Sequence, residues 1–122
     1  MAVAAGRVAL GLTALVLPAV PARPWIGATA AEPGAALLAR ALGARDIALG
    51  AGALAALSGR PGPAEGAWAW VAMGALADAL DSTITVASWK RLPRGGRWLV
   101  AAAAAGAAAA GAGAAVSLRP QP

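Results

Sequence analysis

The sequence predicts an all-α fold: four antiparallel transmembrane helices packed as a bundle, in one integral membrane domain over residues 1–122. Three observations predict it. First, 60% of the residues are hydrophobic and only 12% are charged, against roughly 25% charged in an ordinary soluble domain. So few charges cannot cover a water-facing surface. Second, four apolar stretches at about 3–20, 34–58, 64–90 and 97–118 are separated by breaks rich in Pro and Gly. Each is close to the ~20 residues that cross ~30 Å of hydrocarbon. Third, the Trp residues mark the ends of these stretches. Trp25 lies in the first break, Trp68 and Trp70 open the third stretch, Trp89 closes it and Trp98 opens the fourth. Trp at both ends of a span is the aromatic belt of a bilayer interface, and a helix from Trp68 to Trp89 rises about 30 Å.

The first stretch begins near Val3 and ends at Pro18 and Pro21, with Pro24 beyond. It has a rival reading as a signal peptide: an Arg, an apolar centre and Ala28-Thr29-Ala30 as a cleavage site. An uncleaved helix is the preferred reading, because the apolar run is long for a signal and that site lies well past it. The second stretch opens at Pro33, suited to a first helical position, and stops at Ser58-Gly-Arg-Pro-Gly-Pro63. The third runs to Lys90, Arg91 and Pro93. The fourth is mostly Ala and Gly, ending at Arg119 and two prolines. Ala inserts only weakly, so this helix needs partners. Gly106, Gly111 and Gly113 would give it a smooth face for close backbone approach.

Composition removes several function classes. The chain has no Cys and no His, which excludes a disulfide scaffold, a Cys/His zinc site, a His-ligated haem and a Cys or His triad. Disorder requires low hydrophobicity and is excluded. The net charge of +5 is no nucleic-acid footprint, since no basic stripe is interleaved with stacking aromatics. It reads instead as loop charge that sets orientation. Arg23, Lys90, Arg91, Arg94 and Arg97 fall in the first and third breaks, against Arg60 and Arg119 on the other side with Arg7 near it. The positive-inside rule then puts both termini outside the cell membrane.

The informative residues are the charges inside apolar stretches: Arg7 in the first, Arg40, Arg45 and Asp46 in the second, Asp78 and Asp81 in the third. Such residues turn inward and pair, because a lone charge at mid-bilayer costs several kcal/mol. Counting ~1.5 Å per residue from the break around Gly62 makes Arg45 level with Asp78 and Arg40 level with Asp81. Asp46 is then left for Arg7. The network reads either as a structural clamp that fixes register or as a site for an ion, a proton or a polar head group. Ser82, Thr83 and Thr85 add hydroxyls beside the acids, expected to bond back to their own helix.

The run Leu42-Gly-x-Arg-Asp-x-x-Leu-Gly50, the acids of the third stretch and the Arg-x3-Gly of Arg7 to Gly11 resemble a family of small four-helix bacterial membrane proteins, domain of unknown function 4267. The resemblance covers most of the chain and implies a four-span bundle with no assigned activity. It carries over Arg45, Asp46 and Asp78. In size and helix count the chain also looks like redox-associated membrane proteins of the DoxX type. Arg7-Val-Ala-Leu-Gly11 echoes Arg45 to Gly50 with one residue inserted, which rotates the glycine by about 100° and argues against a repeat.

No Gly-rich phosphate loop is present. A metal held by Asp46, Asp78 and Asp81 is disfavoured by as many nearby arginines, so neither metal nor cofactor is expected. Small multidrug exporters have similar size but use an acid in the first helix, where this chain has Arg7. The sequence reading is a non-enzymatic membrane component with an intramembrane Arg/Asp network. Its partners are the lipid bilayer and a second copy or another membrane protein, with no nucleic acid. The alternative is a small transporter or a lipid- or quinone-binding module using the same charges.

Overall fold

A computed structural model describes residues 1–58 and 66–119. The expected break from Gly59 to Pro63, with Arg60, the expected helix start at Ala64 and the C-terminal prolines lie outside the described residues. The described chain is all-helical. Its α-helices are α1 (Ala2–Val16), α2 (Ala19–Ile26), α3 (Pro33–Leu57), α4 (Ala67–Ala87) and α5 (Arg94–Ser117). One 3-10 turn, Gly27–Ala31, follows α2, and a second, Trp89–Arg91, follows α4.

The first stretch is not one helix. The chain leaves the α conformation at Leu17 (φ −126°, ψ 65°) and re-enters it at Pro18 (φ −58°, ψ −31°). A residue before proline is driven out of the α region, whereas proline itself fits a first turn. Pro18 therefore ends α1 and starts α2. The segment Ala19–Ala31 turns 97° away from α1, which corrects the continuous span expected over 3–20. Trp25, expected in the break between the first two stretches, sits inside α2. Gly27 closes α2 at φ 71°, the positive-φ residue of the described backbone.

The four long helices pack as antiparallel neighbours in the order α1–α3–α4–α5. Gly11 lies against Gly43 while Ala4 and Val8 lie against Gly50, so α1 runs opposite to α3. Gly52 meets Trp70 and Arg45 meets Asp81 across α3 and α4. Gly111 meets Ala75 and Trp98 meets Trp89 along α5 and α4. The far joint is closed by α2, whose Pro24 carbonyl lies where a Cβ on Gly96 would have to go.

Burial is inverted relative to a water-soluble core. The buried apolar residues are all alanines, Ala4, Ala14, Ala39, Ala53, Ala75 and Ala115 among them, and Thr85 is the fully buried polar one. The large side chains point outward: Leu12, Leu15 and Val16 on α1, Leu37 and Leu38 on α3, Met73, Leu76, Leu80 and Ile84 on α4, and Leu99 and Val116 on α5. The α4 set repeats at three and four residues and forms one helical stripe.

By length and composition, α5 alone among the described helices is apolar enough to cross a membrane, and α1 joins it only as a bent pair with Ala19–Ala31. Four independent spans are therefore not carried by hydropathy. The reason is local. Arg40, Arg45 and Asp46 interrupt α3, and Asp78, Asp81 and three hydroxyl residues interrupt α4.

Candidate functional site

Five of the six charges singled out in the sequence meet between α1, α3 and α4. Arg7 reaches across from α1 and splits its guanidinium. Nη1 donates to Asp46 Oδ1 at 3.1 Å, and Nη2 donates to Asp78 Oδ2 at 2.5 Å and to the Gly74 carbonyl at 3.0 Å. Arg45 donates to Asp46 Oδ1 at 3.2 Å and to Asp81 Oδ2 at 2.8 Å. The result is a linear chain, Asp78–Arg7–Asp46–Arg45–Asp81, with Asp46 shared by both arginines. It is most buried at Arg7, whose side chain is 9% exposed, and opens toward Arg45, at 33%.

The partners differ from those expected by counting residues from the loop. Arg45 meets Asp81 instead of Asp78, and Asp78 goes to Arg7. The count compared Cα heights and ignored side-chain direction. Side chains lean toward the N-terminus of their own helix. On α3 that carries Arg45 away from the α3–α4 connection, one turn further along to Asp81. On α1 and α4, which run parallel, Arg7 and Asp78 lean the same way, so their relative height is unchanged and the long Arg7 side chain reaches Asp78 across the gap. Arg40 is absent from the network. Its Nε donates to the Leu15 carbonyl at 3.1 Å, one of the carbonyls that α1 leaves without an intrahelical partner when it breaks at Leu17. Arg40 is thus a capping residue for α1, on an exposed face.

The neighbouring hydroxyls divide. Thr83 Oγ1 donates to the Ala79 carbonyl and Thr85 Oγ1 to the Asp81 carbonyl, the back-bonding common in helices. Ser82 Oγ is buried and without a partner among the described residues.

The close approach that lets Arg7 reach two other helices was not apparent from hydropathy. A Cβ on Gly11 would lie 2.5 Å from the Gly43 carbonyl oxygen, one on Gly43 would lie 2.7 Å from the Gly11 carbonyl oxygen, and one on Gly50 would lie 2.7 Å from the Ala4 carbonyl oxygen. Backbone packs directly on backbone there. The signal was present as spacing: Ala4 and Gly11 are seven apart on α1, as are Gly43 and Gly50 on α3, which keeps each pair on one helix face. The glycines expected to pack in the last helix behave otherwise. Gly111 sits against Ala75, but Gly106 and Gly113 have nothing within 4 Å of a Cβ position.

The Trp residues are mostly joints. Trp89 and Trp98 stack edge to face at 4.6 Å between centroids, and the Arg97 guanidinium lies 4.8 Å over the Trp89 ring while donating to its carbonyl at 2.8 Å. This ties the end of α4 to the start of α5. Trp70 covers Gly52.

One cavity touches the network. It has a volume of about 240 Å³ and lies at the end of the bundle where α1 begins and α3 and α5 finish. Arg7, Gly74, Asp78 and Ser117 form its polar part, with Trp70 and apolar residues of all four long helices forming most of the rest. Among the described residues no group of three or more acidic side chains is arranged to hold a metal ion. No protein-family model, curated protein or solved structure matches the chain.

Proposed function

We propose that this chain is a non-enzymatic integral membrane protein of four spans, in which the Arg/Asp network clamps α1, α3 and α4 in register. The observation that carries the reading is the inverted burial: alanines and ion pairs inside, Leu, Ile, Val and Met outside. Water would drive the opposite arrangement. In hydrocarbon, apolar side chains need no burial, while an unpaired charge is costly and turns inward to a partner. The interhelical packing of glycine and alanine fits the same solvent, since helices in lipid associate by close approach of small residues.

In this reading α3, α4 and α5 rise about 37, 31 and 36 Å and each covers the hydrocarbon. α1 rises only about 22 Å, and the turned α2, carrying Arg23 and Trp25, lies along the interface at its end. Arg23, Lys90, Arg91, Arg94 and Arg97 belong to segments that meet at that same end, where Gly27 approaches Pro93. The positive-inside rule makes it the cytoplasmic end and leaves both termini outside. The Leu42–Gly50 run favours membership of the domain of unknown function 4267 family. Assembly with a second copy or with another membrane protein is part of the reading.

The natural absence of cysteine makes the test direct. Membranes carrying the protein are extracted with alkaline carbonate, and single cysteines are introduced for labelling with an impermeant maleimide in intact cells. The protein should stay in the membrane pellet. Cysteines at residues 2 and 118 should label, and those at residues 23 and 91 should label only after lysis. Release into the carbonate supernatant would overturn the membrane assignment. Retention with the opposite labelling pattern would reverse the orientation.

A further inference from the structure

The interior network carries an imbalance. Three carboxylates, Asp46, Asp78 and Asp81, are paired with two guanidiniums, Arg7 and Arg45. An alternating chain that begins and ends in an acid holds one negative charge in excess. A net charge away from water attracts a counterion or a proton strongly.

One terminal acid of that chain, Asp78, borders the cavity, whereas Asp81 does not. Asp78 Oδ2 is taken by Arg7, but Oδ1 has no hydrogen-bond partner among the described residues and is not fully enclosed. Arg7 is the other charged side chain in the wall, and three of its five N–H donors are committed to Asp46, Asp78 and the Gly74 carbonyl. The network's negative excess and the free Asp78 oxygen in the wall make a cation suit the cavity better than an anion. The α-amino group of Met1 is at the mouth on a residue 66% exposed, where water screens it.

The remaining wall selects among cations. It includes Trp70 and small apolar side chains such as Val71, Ala110 and Ala114, which cannot replace the hydration shell of a bare metal ion. They suit alkyl groups, and an aromatic ring beside a carboxylate is a recurring way to hold a quaternary ammonium. At about 240 Å³ the space exceeds the ~150 Å³ that admits benzene and is below that of drug-sized pockets.

We propose that this cavity is a binding site for a small alkylammonium ion, held between the carboxylate of Asp78 and the ring of Trp70 in an open-sided space lined by α1, α3, α4 and α5. The site depends on how these helices pack and not on whether they cross a bilayer, so binding can succeed or fail independently of the membrane assignment.

The test is calorimetric titration of the purified full chain in neutral detergent with tetraethylammonium, beside ethanesulfonate, a smaller ethyl-bearing anion that the same space would admit. Tetraethylammonium should bind saturably at one site and ethanesulfonate should not. Asp78→Asn should weaken binding by roughly tenfold or more, and Trp70→Leu by about three- to tenfold. Ala110→Leu fills the cavity without touching the network. It should abolish binding while thermal unfolding stays at the parent value, which keeps the test decisive if Asp78→Asn fails to fold. No saturable binding of tetraethylammonium, equal binding by the Trp70→Leu and Ala110→Leu proteins, or preference for ethanesulfonate would each overturn the proposal.

Discussion

The α1–α3 and α4–α5 contacts are both made of small residues, yet they are held by different physics. Along α1–α3, backbone meets backbone at Gly11, Gly43 and Gly50, and ion pairs and an arginine cap cross or border the same face through Arg7, Asp46 and Arg40. Along α4–α5, Gly111 nests on Ala75, and among the described residues no side-chain hydrogen bond joins the two helices along their length. Polar contact reappears only at the Trp89–Arg97–Trp98 joint. Close approach alone gives area. Close approach with an ion pair at fixed height also gives register, because sliding by one turn would leave an acid without its partner. The first interface specifies one arrangement, and the second follows it through the joint.

If that distinction is right, the largest effect comes from removing the residue that ties the first interface to α4. Arg7→Ala leaves Asp78 without an ion-pair partner and Asp46 with only Arg45. A loss of about 3–5 kcal/mol is expected, the cost of breaking a buried pair, read as unfolding in mixed detergent. Arg45→Ala should cost less, since Arg45 is a third exposed and partly screened. The Arg45→Ala/Asp81→Ala double variant should recover part of the loss. Additive losses in that cycle would deny the pair any coupling.

Next comes steric intrusion. Gly43→Ala would put a methyl against the Gly11 carbonyl oxygen and the Ala14 side chain, at 2.7 and 2.8 Å. Backbone cannot step aside as a side chain can, so the helices must separate, at a cost of about 1–3 kcal/mol. In α4–α5 the matching change is Gly111→Ala. Its methyl would meet the Ala75 Cβ at 2.9 Å, and a slide of a few tenths of an ångström relieves it where no ion pair fixes the height. A loss under about 1 kcal/mol is expected, because the gain in helix propensity offsets part of the overlap. Equal losses at Gly43 and Gly111, measured under one unfolding protocol, would abolish the contrast between the interfaces.

The same comparison explains what could be read from sequence. Charges in an apolar run announce that they must pair, so Arg7, Arg45, Asp46, Asp78 and Asp81 were identifiable as a set. Which pairs form depends on the lean and reach of each side chain, and a count of Cα heights put Arg45 one turn from its partner. Arg40 looked like a sixth member because nothing in its neighbourhood of the sequence shows that α1 breaks beside it. That break comes from Pro18 through Leu17, and a proline near the end of an apolar run signals equally a stop or a turn into a new helix. Punctuation is legible where it is unambiguous: α3 opens at Pro33, a residue suited to a first helical turn. The glycine contacts were hidden because hydropathy scores a glycine by its polarity and not by the approach it permits. Their spacing of seven was the legible trace.

The smallest prediction tests the outward face. Gly106 and Gly113 have open space at the Cβ position, so Ala there adds helix propensity without a collision. Each substitution should raise stability by roughly 0.5–1 kcal/mol on propensity alone. The same substitutions would cost stability if these positions met a second copy of the chain through close backbone approach. The sign of the change, read by thermal unfolding at two protein concentrations, therefore separates a free helix face from a dimer face. A gain that is independent of concentration leaves α5 without a partner at Gly106 and Gly113. A loss that appears only at the higher concentration makes that stripe an interface, and the register that α4–α5 lacks within one chain would then be supplied by the second.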